Sequence, residues 1–288
     1  MVKRALIIGP GGMYGAYSCG ATYVLGKRLG RKYFHKGYAC SAGAYPLAFF
    51  FSGQYETLKK VLRCDLDGKK FIDFSFFNVI LRKSLKLDYM EKMFKDIRAA
   101  KLNINSLFNS GREVIFVATN VKTAKPEYIR PNKKTIYKTM TATCSLPLVS
   151  HVVKINGFEY MDGGLTDPLP VNKSFEDGCD EALVLCNYPK SSSGKRGFKE
   201  QLERLASLFY FFNPSIAREI FDSTEQINYI ENSLKHKKVT VIRPSRELPL
   251  LSIADTKQEH IDAAFDLGMK DAETYVDNLF KNSNGSVG

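Results

Sequence analysis

The sequence predicts an α/β fold built on a doubly wound, mainly parallel sheet. Three observations carry that expectation. A short apolar run, Ala5 to Ile8, is followed by a glycine cluster and then by a segment with helical periodicity. The same order of strand, sharp turn and helix recurs at residues 37–62 around Ser41. Further strand-like runs follow at Val114 to Thr119, Ala182 to Asn187 and Val239 to Arg243, with room for helices among them. Strands that alternate with helices favour a parallel sheet, because a parallel neighbour is reached only through a crossover. Ligands of such sheets bind beyond the carboxyl ends of the strands. Gly11, Gly12 and Ser41 would then meet at one edge.

Taken in order, residues 4–8 read as a buried strand and 15–29 as a helix. Ala16, Cys19, Gly20, Tyr23, Val24 and Leu29 fall largely on one face of that helix. Next comes Ala39-Cys40-Ser41-Ala42-Gly43. It has the form of a nucleophile elbow, G-x-S-x-G, with Ala39 in place of the first glycine. A strained turn of this kind lifts the serine hydroxyl above the sheet. The same small residues also fit a plain helix start capped by Ser41. Residues 68–95 are rich in aromatic and apolar side chains (Phe71, Phe74, Phe76, Phe77, Ile80), interleaved downstream with Lys83, Lys86 and Lys92. They read either as helices covering the sheet or as an acyl-chain cleft and membrane-contacting cap, with lysines at headgroup level. Leu208 to Phe212 invites the same two readings.

Tyr128 to Arg130 fits a hairpin partner for the strand at Val114 to Thr119, and Ser191 to Lys195 an exposed loop. Thr256 with Glu259 has the pattern of a capping box opening the last helix, whose buried stripe would include Ile261, Ala264, Phe265 and Ala272. Residues 1–282 read as one domain with a helical cap-like segment at about 68–112, and 283–288 as a disordered tail.

Composition narrows the class. Apolar residues at 44% and charged residues at 25% fit a globular protein. No apolar run approaches the ~18 residues of a membrane span. The run behind Met1-Val2-Lys3-Arg4 stops at Gly9, too short for a signal-peptide core, which predicts a cytoplasmic protein. The net charge of +12 points to an anionic partner. With no nucleic-acid reading element in the chain, no nucleic acid is expected, and peripheral contact with an anionic membrane is. The six cysteines form no C-x-x-C pair, so neither a zinc site nor a disulfide framework is expected. Cys40, beside Ser41, reads as a strand residue facing the core. Gly9-Pro10-Gly11 after a strand evokes a dinucleotide site, but the next glycine, Gly15, comes one residue late and no acid closes a second strand; no Walker sequence is present.

Two further stretches give Ser41 a chemical context. Gly9-Pro10-Gly11-Gly12-Met13-Tyr14-Gly15 would leave backbone N–H groups free at a helix start, a nest for negative charge. Tyr160-Met161-Asp162-Gly163-Gly164-Leu165-Thr166-Asp167-Pro168 puts an acid before two glycines in a tight loop. A glycine-rich anion hole, a serine elbow and a late Asp-Gly-Gly, in that order, resemble the patatin-like phospholipase family. Thr141 to Leu148 and Val241 to Pro244 extend the resemblance over nearly the whole chain.

The resemblance implies a three-layer α/β/α fold and a serine lipid acyl hydrolase, acting on phospholipid or another lipid ester without a cofactor. It implies a Ser41–Asp162 dyad, with the N–H groups of Gly11, Gly12 and Met13 as oxyanion donors. Three positions depart from the family pattern: Pro10 replaces a glycine, Tyr14 a basic residue and Ala39 a glycine. They motivate one alternative, a binding protein with a decayed site. An acyltransferase using the same acyl-enzyme is another. Of the four histidines, His35 and His151 lie near the motifs and leave a Ser–His–Asp triad open, whereas His236 and His260 read as surface residues. Asp167 is a second acid, with Pro168 beside it pointing to a turn role.

Overall fold

The computed structural model describes residues 2–65, 85–97, 100–146, 149–189 and 238–284, together with Lys70, Ile72 and Lys83. Its sheet is built around β1 (Arg4–Ile8), which pairs in parallel with β2 (Lys36–Ala39) on one side and β7 (Glu181–Leu185) on the other. Beyond them β3 (Glu113–Asn120) and β8 (Val239–Ile242) are also parallel. The β3 side continues antiparallel, through β6 (Phe158–Asp162) and β5 (Val153–Ile155), while β4 (Pro126–Ile129) forms a hairpin with β3. The strand order is β5-β6-β3-β2-β1-β7-β8.

β1 is apolar at four successive positions because both its faces are covered. Leu6 and Ile8 pack towards α1 (Gly15–Arg28), α2 (Ala44–Ser52) and the long C-terminal helix. Ala5 and Ile7 pack with Leu169, Val171 and Val184 on the opposite face. Between α2 and the C-terminal helix come α3 (Tyr55–Lys60), α4 (Leu87–Asp96), α5 (Ile104–Phe108), α6 (Ile136–Thr143) and α7 (Val171–Glu176). The last helix, α8, spans Gln258–Asn284.

Several expectations need correction. α1 is buried almost all round rather than along one stripe. The cause is α8, which crosses it so closely that a Cβ on Gly20 would lie 2.0 Å from the Phe265 carbonyl, and one on Gly268 2.0 Å from that of Tyr17. At the start of α8 the carboxylate with backbone partners is that of Asp255. It accepts the N–H of Leu251 at 2.8 Å and of Lys257 at 3.0 Å, and meets His260 Nδ1 at 2.7 Å. His260 is therefore half-buried. The final helix also runs through Ser283 and Asn284, into the expected tail. The strand expected to reach Asn187 ends at Leu185.

Most of residues 68–84 lie outside the described residues, as do Pro147 and Leu148, the loop at 191–195, the aromatic run at 208–212, His236 and residues 285–288. The described part of the cap-like segment buries Leu87, Met90, Met93 and Phe94 on one face of α4.

Register decides what happens at the carboxyl edge of the sheet. Ala39 of β2 pairs with Phe116 of β3. Two residues further on, Ser41 is level with Ala118, and Ala118 pairs with Asp162 of β6. Ser41 and Asp162 thus reach the same height on either side of β3, about 10 Å apart at the backbone by two strand spacings.

Candidate active site

Ser41 leaves β2 with φ 52°, a left-handed conformation that a non-glycine residue adopts only under constraint. The elbow is held from both sides. Ser41 N–H donates to Thr143 Oγ1 at 3.1 Å, and that hydroxyl donates to the Val117 carbonyl. Gly43 must be glycine: a Cβ there would stand 2.5 Å from the Ile8 carbonyl and 2.9 Å from that of Gly9. Ala39 is accommodated within β2, fully buried. Cys40 is extended and makes no cap bond, its thiol donating to the Pro168 carbonyl at 3.4 Å. Burial raises that thiol well above the usual range, which leaves it un-ionised and away from the chemistry. Ser41 makes no cap bond either: α2 begins after Gly43.

Asp162 ends β6 and caps the short turn Gly163–Leu165. Gly163 passes so close over β3 that a Cβ would lie 2.0 Å from the Val117 carbonyl. The crossing carries the acid towards Ser41. Asp162 is 1% exposed, and its Oδ1 accepts the Gly164 N–H at 2.8 Å. Its Oδ2 is buried without a hydrogen-bond partner. Burial pushes the carboxyl up to about 7, against the opposing pulls of the Ser41 hydroxyl and the Gly164 N–H. The Ser41 hydroxyl is thus one of two groups that favour the ionised form.

The other candidates sort clearly. Asp167 accepts from Tyr128 Oη at 2.7 Å, with its carboxyl pushed up to about 6 by burial; it braces the loop. His35 precedes β2 at the opposite end of the sheet, where its Nδ1 accepts the Arg4 N–H at 3.2 Å. His151 is exposed, and it is its carbonyl that accepts from Ser145.

In the glycine loop Gly12 has φ 55° and approaches Ile253 too closely for any side chain, 2.5 Å from a Cβ to the carbonyl oxygen. The Met13 N–H donates to that same carbonyl at 2.8 Å. Of the three expected donors, Met13 is thus already engaged. Pro10 fits in place of glycine because its ring packs against Gly164, 3.2 Å from where a Cβ would stand. Tyr14 packs edge-on against Tyr188, with ring centroids 5.7 Å apart.

An apolar cavity of about 160 Å³ opens beside Ser41 and Gly12, walled by Ala16, Tyr45, Met90, Phe94 and Ile253 among others. Ile253 had no signal in the sequence. Thr143 stood in a motif that the resemblance matched without giving it a role.

Residues 6–173 match the family model described as patatin-like phospholipase. The chain belongs to the patatin-like phospholipase family. That family is one of lipid acyl hydrolases, and the match spans Gly11, Gly12, Ser41 and Asp162. Among curated proteins the chain is similar to the uncharacterized protein YjjU of Escherichia coli (strain K12), 24% identical over 206 residues. The match takes in 70% of this patatin-like chain and 57% of YjjU, so the chain spans little more than half the length of that relative. Among solved structures it resembles VipD from Legionella pneumophila, with a TM-score of 0.55 at 13% identity, over 96% of this chain and 67% of the other. At that identity the likeness concerns the fold. No helix among the described residues is long and apolar enough to cross a membrane.

Proposed function

We propose that the protein is a serine hydrolase of lipid carboxylic esters, with Ser41 as nucleophile and Asp162 as its base. The observation that carries this reading is the meeting of a strained serine with a buried carboxyl whose second oxygen lacks a partner. Ser41 Oγ attacks the ester carbonyl carbon while its proton passes to Asp162 Oδ2. The carbonyl oxygen becomes an oxyanion held by the N–H groups of Gly11 and Gly12. Collapse breaks the C–O bond to the alcohol, which takes the proton from Asp162 and leaves the acyl group on Ser41. Water then attacks the acyl-enzyme, giving a proton to the same carboxylate; collapse breaks the acyl C–Oγ bond, Ser41 takes that proton back from Asp162, and the fatty acid leaves.

A carboxyl with pKa about 7 suits this task. It is half ionised near neutrality and a stronger base than a solvated aspartate. The apolar cavity would take the acyl chain, its oily walls excluding water from the oxyanion. A phospholipid or a simpler lipid ester fits that division between polar head and apolar tail. With a net charge of +12, the protein would meet such substrates at an anionic membrane surface.

The test is turnover. Wild-type protein is assayed on a phospholipid, a lysophospholipid and a medium-chain aryl ester, beside Ser41→Ala. The expected result is fatty acid release by the wild type and none above background by the variant, with melting temperatures alike. An active, folded Ser41→Ala protein would remove Ser41 from the nucleophile's role.

A further inference from the structure

Asn187 lies two residues beyond β7, fully buried. The β1–β7 pairing continues past the end of β1 to the Gly9 N–H, which donates to the carbonyl of Leu185, the last residue of β7, at 3.0 Å. There the backbone ladder stops and the Asn187 side chain takes over. Its Nδ2 donates to the carbonyls of Gly9, at 3.1 Å, and Pro10, at 3.0 Å. Its Oδ1 accepts the Ser18 N–H, in the first turn of α1, at 3.2 Å. The orientation of this amide is forced by its neighbours. Both partners of Nδ2 are carbonyl oxygens and the partner of Oδ1 is an N–H, so a flipped amide would satisfy none of them.

The consequence lies in the Pro10–Gly11 peptide. It is planar, and trans like every peptide bond described. Its C=O and N–H therefore point in opposite directions. Fixing the Pro10 carbonyl on Asn187 aims the Gly11 N–H to the side away from Asn187. The tie to Ser18 fixes α1 in the same frame, and α1 begins directly after the glycine loop. Pro10 itself has no N–H, so at this residue the carbonyl is the one backbone group that can be anchored.

We propose that Asn187 is a positioning residue for the anion hole, setting the direction of the Gly11 N–H without touching substrate. The proposal rests on the serine chemistry above and adds a residue to it. Donors of this kind act only if they are already aimed where the charge develops, so losing the aim costs in the transition state rather than in substrate binding.

The test compares wild type with Asn187→Asp, which keeps the shape but puts an acceptor against two carbonyls, and with Asn187→Ser. Each is assayed for kcat and KM on an aryl ester, and for affinity towards an aliphatic trifluoromethyl ketone, which forms a tetrahedral adduct on an active serine. A folded Asn187→Asp protein should lose about 100-fold in kcat with KM within about threefold, as expected for loss of one oxyanion donor. Ketone affinity should fall by a comparable factor. A purely structural Asn187 would lower the melting temperature and leave both ratios near wild type, and that result overturns the proposal.

Should neither variant fold, NMR on the wild type decides. Forming the ketone adduct should shift the Asn187 side-chain amide and Gly11 N–H resonances together; unmoved resonances in a formed adduct overturn the proposal. An inactive wild type that forms no adduct overturns the serine reading and this proposal with it. An active wild type with indifferent variants overturns this proposal alone.

Discussion

Replacing Asp162 by Asn should abolish turnover and change how stability depends on pH. In the folded protein the carboxyl has a pKa of about 7, against 3.8 as the ordinary value. Between those two values the unfolded chain has released the proton while the folded protein retains it. Raising the pH therefore favours unfolding: stability is lost from about pH 4 through about 7 and then levels. At about 1.4 kcal/mol for each pH unit, the window from pH 5 to pH 7 costs about 3 kcal/mol. The amide of the Asp162→Asn variant cannot ionise and escapes this loss. Its nitrogen, placed where Oδ2 now lacks a partner, carries a cost of its own, but one independent of pH.

The quantity to measure is thus the gap in melting temperature between variant and wild type, at pH 5 and at pH 8. For 288 residues the unfolding entropy is about 0.6 kcal/mol per degree. The gap should shift by about 5 °C in favour of Asp162→Asn on going to pH 8. The carboxyl is fully buried, so solvent screening leaves most of this intact. A gap constant to about 1 °C, or one that moves against the variant, would refute a high pKa at this site.

Other outcomes follow from the same geometry. In the wild type kcat/KM should rise about tenfold per pH unit below about pH 7 and then level, because only the ionised carboxylate accepts the Ser41 proton; a flat profile from pH 5 to 8 would exclude this base. His35→Ala and His151→Ala should each keep kcat within about twofold of wild type, since a group outside the site has no proton-transfer role; loss of activity in either folded variant would restore the triad. Gly163→Ala should unfold the acid loop or destabilise the protein by more than about 3 kcal/mol, as a Cβ 2.0 Å from the Val117 carbonyl cannot be accommodated by side-chain movement. A soluble Gly163→Ala protein with wild-type melting and turnover would contradict that close approach.

Most of the parallel half of the sheet was legible in the sequence because β1, β3, β7 and β8 are mainly apolar runs, and β2 was legible from the serine turn that follows it. A hairpin partner for β3 was expected at Tyr128 to Arg130, and β4 runs from Pro126 to Ile129. Burial of α1 on all sides was not, because its cause lies more than two hundred residues away, in the approach of Gly268 to Tyr17. Ser41 and Asp162 came from motif and resemblance, but their meeting is a matter of register: it needs β6 to pair with β3 at Ala118, which no local pattern states. The glycine loop illustrates a different gap. Its backbone donors could be expected from the glycines and the family resemblance, whereas the engagement of the Met13 N–H by Ile253 depends on a segment 240 residues on, with no sequence mark of its role. Likewise the start of α8 was read from Thr256, whereas the carboxylate that holds the chain there is that of Asp255, which accepts the Lys257 N–H just before the helix; only the fold selects between the two.

The most direct measurement of the central claim is the intact mass of the protein after exposure to a fluorophosphonate, with the modified peptide then sequenced, in buffer and in detergent. Labelling requires an accessible serine, a base for its proton and donors for the phosphoryl oxygen. The account predicts one adduct, on Ser41, formed by wild type and by neither Ser41→Ala nor Asp162→Asn. No adduct on folded wild-type protein in either medium, or an adduct elsewhere with Ser41 unmodified, would contradict it.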